Sequence, residues 1–372
     1  MSWPDFWTQT NWKTLCLQPL SKLVCRIASR RRLAFQEASW LKVAEGCLPV
    51  CVIGNIVVGG SGKTPFILAL VKAAQMQGLK LGIVSRGYGG KSKQWPQRVY
   101  ADSDPNLVGD EPVMLARALQ QFHIPIAVAP KRQQAVELLS QQTDCDWIIS
   151  DDGLQHYQMS RVCEIVLVDG ARGFGNGHCL PAGPLREPIE KLKQVDALVV
   201  NGEDQKKILT NLETGSDGQA LLPKLTGTMQ LIPIRLVNVV DETQTLPIDE
   251  LANLPVNAMA GIGNPERFFE TLVQLGAQVS PHPFADHHAY SFSDLKPFAG
   301  LRQDKEKVTN LDSINNALIM TEKDAVKCRS IAQQLSVKHW WYLQVESEVD
   351  SAILTHIFNK MAQAPRWQRR EI

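Results

Sequence analysis

The stretch Val57-Val58-Gly59-Gly60-Ser61-Gly62-Lys63-Thr64-Pro65 carries the densest chemistry in this chain of 372 residues. Glycines at 59, 60 and 62 permit backbone conformations closed to other residues, so a row of N–H groups can approach a phosphate closely. Lys63 would supply a mobile positive charge and Thr64 a hydroxyl for Mg²⁺. The usual pattern, G-x-x-x-x-G-K-[ST], opens on glycine, whereas Val57 stands there in this sequence. The spacing therefore describes a modified phosphate-binding loop, with Val57, Val58, Gly59, Gly60, Ser61, Gly62, Lys63 and Thr64 as the nucleotide-binding candidates. A glycine-rich connection without a ligand is the alternative, but Gly-Lys-Thr between an apolar strand and a helix is the more specific pattern.

A Mg²⁺-nucleotide site usually adds a carboxylate at the end of a neighbouring strand. "WIISDDG", residues 147–153, ends on the pair Asp151 and Asp152, and "IVLVDG", residues 165–170, offers Asp169. The pair fits better, one aspartate holding the metal or its water and the other orienting the loop, while Asp169 reads as a strand cap. A kinase also needs a group to take the acceptor's proton. Asp110 and Glu111 open a helical pattern in "VGDEPVML", a place that suits either a cap or a proton acceptor. "FADHHAY", residues 284–290, groups Asp286, His287 and His288 far downstream. Arg186 reads as a charge for the moving phosphoryl group or as an ion-pair partner of Glu187 or Glu190. Arg86, in "SRGYGG", reads as a turn residue or a sugar-phosphate contact. "TEKDAVK" is not the guanine-reading motif of GTPases, because Glu322 fills the lysine position and Lys323 comes one place late.

The elements that must position these groups alternate. Strands are predicted near 50–54, 81–85, 125–129, 146–150, 164–169 and 197–200, with helices over 63–76, 110–121 and 132–141. That rhythm predicts an α/β fold like that of P-loop NTPases, a mostly parallel sheet with helices on both faces. A second α/β series follows the polar stretch 202–228: strands 229–240, 256–261, 316–320 and 339–345, and helices 265–275, 325–335 and 351–362. The expected organisation is an N-terminal helix in 1–35, a phosphate-loop core over 36–201, a linker over 202–228 and a smaller C-terminal lobe over 229–372.

Lys plus Arg number 39 against 38 Asp plus Glu, so no global field selects nucleic acid, and any preference for an anionic surface must be local. The eight cysteines show neither C-x-x-C pairs nor zinc spacing and read as reduced, small hydrophobes in a cytosolic setting. Residues 12–35 mix Leu20, Leu23, Val24 and Ile27 on one helical face with Lys13, Lys22, Arg26 and Arg30-Arg31-Arg32. The segment is too charged to span a bilayer, and it reads as an interfacial helix or as one packed on the body of the protein.

Taken together, "GNIVVGGSGKTP", "VSRGYGG", "GDEP", "SDDGLQH", "FGNGHCLPAGPLREP", "NAMAGIGNPERFF", "ADHH" and "MTEKDAVKC" resemble the tetraacyldisaccharide 4′-kinase family of lipid A biosynthesis, in order from about residue 48 to 345. The resemblance implies transfer of the ATP γ-phosphate to the 4′-hydroxyl of tetraacyldisaccharide 1-phosphate, at the cytoplasmic face of a Gram-negative inner membrane, with the N-terminal helix as membrane contact. It implies that the loop works without its first glycine. It gives Lys63 the β/γ-phosphates, Thr64 the Mg²⁺, Asp110 the role of catalytic carboxylate and His287 that of raising or relaying its basicity. Asp151, Asp152, Arg186 and Glu187 would line the phosphate and metal region. No obligate protein partner is implied. A membrane-associated nucleotide-hydrolysing switch and a kinase of a soluble acceptor are the rival readings.

Overall fold

The structure, a computed structural model, describes residues 3–37, 46–214, 220–285, 288–300 and 316–364. The chain forms two compact units, one of residues 3–231 together with the segment from 347 onward, the other of residues 232–346.

The first unit is built on parallel strands. β1 (Val50–Gly54) lies at the centre, between β5 (Trp147–Asp151) and β6 (Cys163–Asp169). Beyond β5 follow β2 (Leu81–Ser85) and β4 (Ile126–Val128), and beyond β6 follow β7 (Ala197–Asn201) and the start of β8 (Leu225–Asn238). Among the described residues of this unit only β3 (Gln97–Val99) runs antiparallel, paired with β4 at the edge. Every residue of β1, β2, β5, β6 and β7 is buried, as expected of a parallel sheet covered on both faces, and such strands read in sequence as continuous apolar runs.

Helices on the two faces bury alternate strand residues. Cys51 and Ile53 of β1 meet α3 (Lys63–Met76) through Phe66, Ile67 and Leu70, on the face also covered by α5 (Asp110–Ala118) and by the helix Ser351–Ala362. Val50 and Val52 point the other way, into a core shared with α6 (Arg132–Gln142) and α7 (Ile208–Thr214). The mostly parallel sheet with helices on both faces is thus as the alternating pattern predicts. Of the shorter helices, α1 covers Asp5–Thr8 and α4 Pro105–Val108.

α2 (Trp12–Glu37) is one long helix whose sidedness is inverted. Thr14, Ser21 and Arg32 are buried on the protein side, whereas Trp12, Leu15, Leu20, Leu23, Ile27 and Leu33 are between 44% and 69% exposed. Ser21 Oγ donates to the Cys179 carbonyl at 2.8 Å, and Cys25 forms a disulfide with Cys179. That bond corrects the expectation of reduced cysteines for these two. They lie 154 positions apart, and spacing rules detect only local pairs. Among the described residues no helix is long and apolar enough to cross a membrane.

In the second unit, β10 (Pro255–Ala260) lies between β11 (Gln278–Pro283) and β12 (Leu318–Thr321), and β12 pairs with β13 (Trp340–Val349), all parallel. β9 (Thr245–Pro247) adds an antiparallel pairing with the end of β8. α8 (Pro265–Gln274) inserts Phe268, Phe269 and Leu272 into one core, and α9 (Phe292–Ala299) contributes Leu295 and Phe298 to the other.

Candidate active site

The loop 55–62 joins β1 to α3 at the C-terminal end of the central strand, where open α/β sheets bind ligands. Gly62 adopts φ +90° as the N-cap of α3, and an added Cβ would collide with Asn201 Nδ2. Only glycine suits that position. Val57 is buried and forms a bridge with Leu185, and Val58 N–H donates to the Pro184 carbonyl at 2.9 Å while Arg186 N–H donates to that of Ile56 at 2.7 Å. The turn out of β1 is therefore stapled to the segment 184–186. A side chain at the first motif position has a pocket to fill here.

At the far end of the loop Lys63 Nζ lies 3.2 Å from Asp152 Oδ1, and Arg186 Nη1 lies 3.1 Å from Asp152 Oδ2. Arg186 pairs with Asp152 across 34 positions, which neighbouring acidic residues in the sequence do not reveal. Asp152 itself has φ +49°, the left-handed region, at the turn after β5. The environments of the two aspartates push them apart. Burial raises Asp151 to about 7, against the opposing charge of Lys63 and with Glu111 and Asp152 adding to the rise. Burial also acts upward on Asp152, but Lys63, Arg186 and Arg132 outweigh it and hold the carboxyl at about 2. One carboxylate is a fixed anion for two cations, and the other is a buried group whose Oδ1 has no hydrogen-bond partner. Such an orphaned carboxylate oxygen, with the charges of Glu111 and Asp152 acting on it, suits a divalent cation.

The first turn of α5 reaches the same region, because Glu111 acts electrostatically on Asp151. Asp110 is the first residue of that helix and is exposed. Its position is set by the loop 86–90: an added Cβ on Gly109, at φ +96°, would meet the Tyr88 carbonyl at 2.6 Å. Asp169 behaves as the strand cap its context predicts, accepting from the N–H groups of Ala171 at 3.1 Å and Arg172 at 3.0 Å. Glu187 accepts from the Tyr157 hydroxyl and is buried. Burial raises its pKa against the opposing effect of that hydrogen bond. His287 and Asp286 lie outside the described residues, and His288 bonds Asp294 at 3.2 Å within the second unit.

Several residues of this region are not among the site candidates read from the sequence. Arg132, buried at the start of α6, donates to the Asp151 carbonyl at 3.0 Å, and its backbone N–H donates to His156 Nε2 at 3.3 Å. His156 is therefore neutral with its proton on Nδ1. Burial, then Arg132, Arg161 and Arg86, holds it down at about 4. Beneath the site, Glu164 on β6 takes Arg161 on one oxygen and Lys191 on the other, both at 2.7 Å and all buried.

Residues 13–363 match the family model described as tetraacyldisaccharide-1-P 4′-kinase. The chain is 46% identical over 364 residues to the tetraacyldisaccharide 4′-kinase of Hydrogenovibrio crunogenus, covering 97% of this chain and 98% of that one. It is 41% identical to the enzyme of the same name from Aeromonas hydrophila, covering 98% and 96%. Among solved structures, LpxK of Aquifex aeolicus, crystallised in complex with ATP, superposes with a TM-score of 0.66 at 24% identity, over 94% of this chain and 99% of that one. That likeness speaks for the fold, and the sequence matches speak for more. With nearly its whole length matched, the chain belongs to the tetraacyldisaccharide-1-P 4′-kinase family.

Proposed function

We propose that the chain transfers the γ-phosphate of ATP to the 4′-hydroxyl of a tetraacyldisaccharide 1-phosphate, forming the 4′-phosphorylated lipid A precursor lipid IVA. The observation that carries this reading is the meeting of Lys63 and Arg186 on Asp152 at the end of the phosphate loop. Phosphoryl transfer depends on positioning and on charge that follows the moving group. Two cations held ready by one carboxylate suit that task, since an arriving phosphate offers them a second anionic partner. The relative solved with ATP supports the choice of nucleotide. Thr64 and Asp151 would hold Mg²⁺, with Asp152 and Glu187 lining the phosphate and metal region as the resemblance has it. When bound, the ion would neutralise charge on the phosphate oxygens. Asp110 would take the acceptor's proton, and His287 would raise or relay its basicity.

The lipid half of the reading rests on α2. An apolar face packed on the protein would be buried, but here the apolar side chains are the exposed ones and the buried ones are polar. With Lys13, Lys22, Arg26, Arg30 and Arg31 on the same helix, α2 suits the surface of an anionic bilayer. The resemblance puts that bilayer at the inner membrane, on its cytoplasmic face, where ATP and the acylated acceptor would meet.

The test is transfer of labelled γ-phosphate from Mg-ATP to tetraacyldisaccharide 1-phosphate in mixed micelles. The expected result is label on the 4′-oxygen, with Lys63→Ala and Asp110→Ala each lower by about 100-fold or more. Nucleotide hydrolysis by folded protein without lipid labelling would replace this reading with that of a switch.

A further inference from the structure

The carbonyls of the phosphate loop are almost all taken. Gln155 Nε2 donates to that of Asn55 at 3.0 Å, and Arg186 N–H to that of Ile56. The four that follow Val57 are each held by a side chain from a different place in the chain. Trp3 Nε1 donates to Val58 O at 3.1 Å, Asn55 Nδ2 to Gly59 O at 3.0 Å, Arg172 Nη2 to Gly60 O, and Asn201 Nδ2 to Ser61 O at 3.2 Å. In a planar trans peptide the C=O and the next N–H point in opposite directions. Each donor that fixes a carbonyl therefore also fixes the direction of the N–H of residue 59, 60, 61 or 62. A loop whose donors are aimed in advance loses less entropy when a phosphate binds.

Asn55 and Asn201 sit at ends of sheet strands and are held by the fold. Trp3 and Arg172 are different. Trp3 comes from the segment ahead of α2, and Arg172 lies in the turn after β6, its guanidinium 5.0 Å from the Trp3 ring centroid. The two act as a unit, Trp3 stacked on Arg172 and each holding a carbonyl of the loop. The first segment is itself anchored: Asn176 Nδ2 donates to Phe6 O at 2.7 Å, and Trp7 Nε1 donates to Pro181 O at 3.0 Å.

We propose that Trp3 and Arg172 are positioning residues for the nucleotide, holding the carbonyls of Val58 and Gly60 so that the loop's N–H groups are set for the phosphates. The segment before the membrane-facing helix is thereby part of the nucleotide site. This rests on the reading of residues 57–64 as the ATP loop.

The experiment uses the full chain in detergent micelles. Mg-ATP binding is measured by calorimetry, and KM for Mg-ATP and for lipid acceptor are measured separately, in wild type, Trp3→Phe, Arg172→Lys and Arg172→Ala, with Lys63→Ala as control. Trp3→Phe keeps the ring on Arg172 and removes only the N–H donor. It is expected to raise the Kd and KM for Mg-ATP about tenfold, with the acceptor KM and melting temperature unchanged. Arg172→Ala should lose at least as much and Arg172→Lys should recover most of it. Wild-type protein that fails to bind Mg-ATP would overturn the reading of the loop. Wild type that binds while Trp3→Phe and Arg172→Ala bind equally well would overturn only the inference. A rise in acceptor KM alone, or a fall in melting temperature together with every kinetic constant, would also overturn it by giving these residues a docking or purely structural role.

Discussion

Val57 stands where the usual motif has glycine, and its packing accounts for the departure. It is 6% exposed, in the core beside Leu185, and its backbone is stapled to the segment 184–186, so the geometry that glycine would ease is imposed by pairing. Val57→Gly would restore the usual spelling and is expected to destabilise the protein by about 2–3 kcal/mol, from lost apolar burial and added backbone freedom, with Mg-ATP affinity unchanged. Chemical denaturation with a parallel binding titration checks it, and tighter nucleotide binding in the variant would contradict the pairing argument. His156 gives the residue scale a pH dependence. Its native pKa is about 4, below the ordinary histidine value of 6.5, so the native state binds fewer protons than the unfolded chain between those values. The groups facing it are Arg132, Arg161 and Arg86, all cationic. Its stabilising contribution is complete above pH 6.5 and is lost as pH falls toward 4. The melting temperature of wild type should therefore fall more steeply over that window than that of His156→Gln, whose side-chain oxygen can still accept from Arg132 N–H. Equal slopes would dismiss the neutral histidine. The candidates visible in the sequence are those compressed into a short run, Lys63 with Thr64 and Asp151 with Asp152, and the structure brings Lys63 onto Asp152. The carbonyl holders were not, because the bonds of Trp3, Arg172 and Asn201 to the loop span 55, 112 and 140 positions.

At the scale of elements, β6 carries a buried carboxylate held by two buried cations. Burial pushes the Glu164 carboxyl up, but Lys191 and Arg161 outweigh it and hold its pKa below the usual range. The group therefore stabilises the fold above the unfolded carboxyl pKa and loses that contribution as acid protonates it. Glu164→Gln leaves two buried cations facing a neutral amide, and a loss of about 3–5 kcal/mol is expected by urea denaturation. A loss under about 1 kcal/mol would mean that water reaches the cluster. The same strand illustrates why the central elements were readable. Strands buried on both faces must be mostly apolar, so β1, β5, β6 and β7 announce themselves despite the paired Glu164 and the polar residues at the C-terminal ends of β5, β6 and β7. The edge strands β3 and β11 do not: β3 is three residues long, and β11 reads Gln-Val-Ser-Pro-His-Pro with most residues partly or fully exposed. Short, polar or proline-bearing edges resist unwanted pairing, and for that reason they lack the apolar run by which strands are recognised. The helix Ser351–Ala362 was expected as a helix, yet its pattern of Ile353, Ile357 and Met361 could cover any sheet, and only the fold shows that they join the core of Phe66 and Leu70.

For the whole molecule, the near balance of 39 basic against 38 acidic residues makes the placement of charge decisive. α2 contains six Lys and Arg between residues 13 and 32, and its acidic residue, Glu37, comes at the end. Arg32 is buried, whereas Lys13, Lys22, Arg26, Arg30 and Arg31 are exposed on the same helix as the exposed Trp12, Leu15, Leu20, Leu23 and Ile27; on the proposed reading the cations would meet anionic headgroups and the apolar side chains would enter the interface. The two contributions separate experimentally. Leu15→Glu with Leu23→Glu removes apolar insertion and should abolish sedimentation with vesicles whatever their charge. Arg26→Gln, Arg30→Gln and Arg31→Gln should weaken binding to vesicles rich in phosphatidylglycerol by about fivefold each, from roughly 1 kcal/mol per basic residue, and should scarcely alter binding to neutral vesicles. Both sets should raise the acceptor KM in vesicles and leave the Mg-ATP KM unchanged, since neither touches Trp3 or Arg172. Unaltered sedimentation of the double leucine variant would mean that the exposed face of α2 meets something other than lipid. If the arginine variants weakened binding equally on neutral and anionic vesicles, electrostatic attraction would be excluded as the source of their effect.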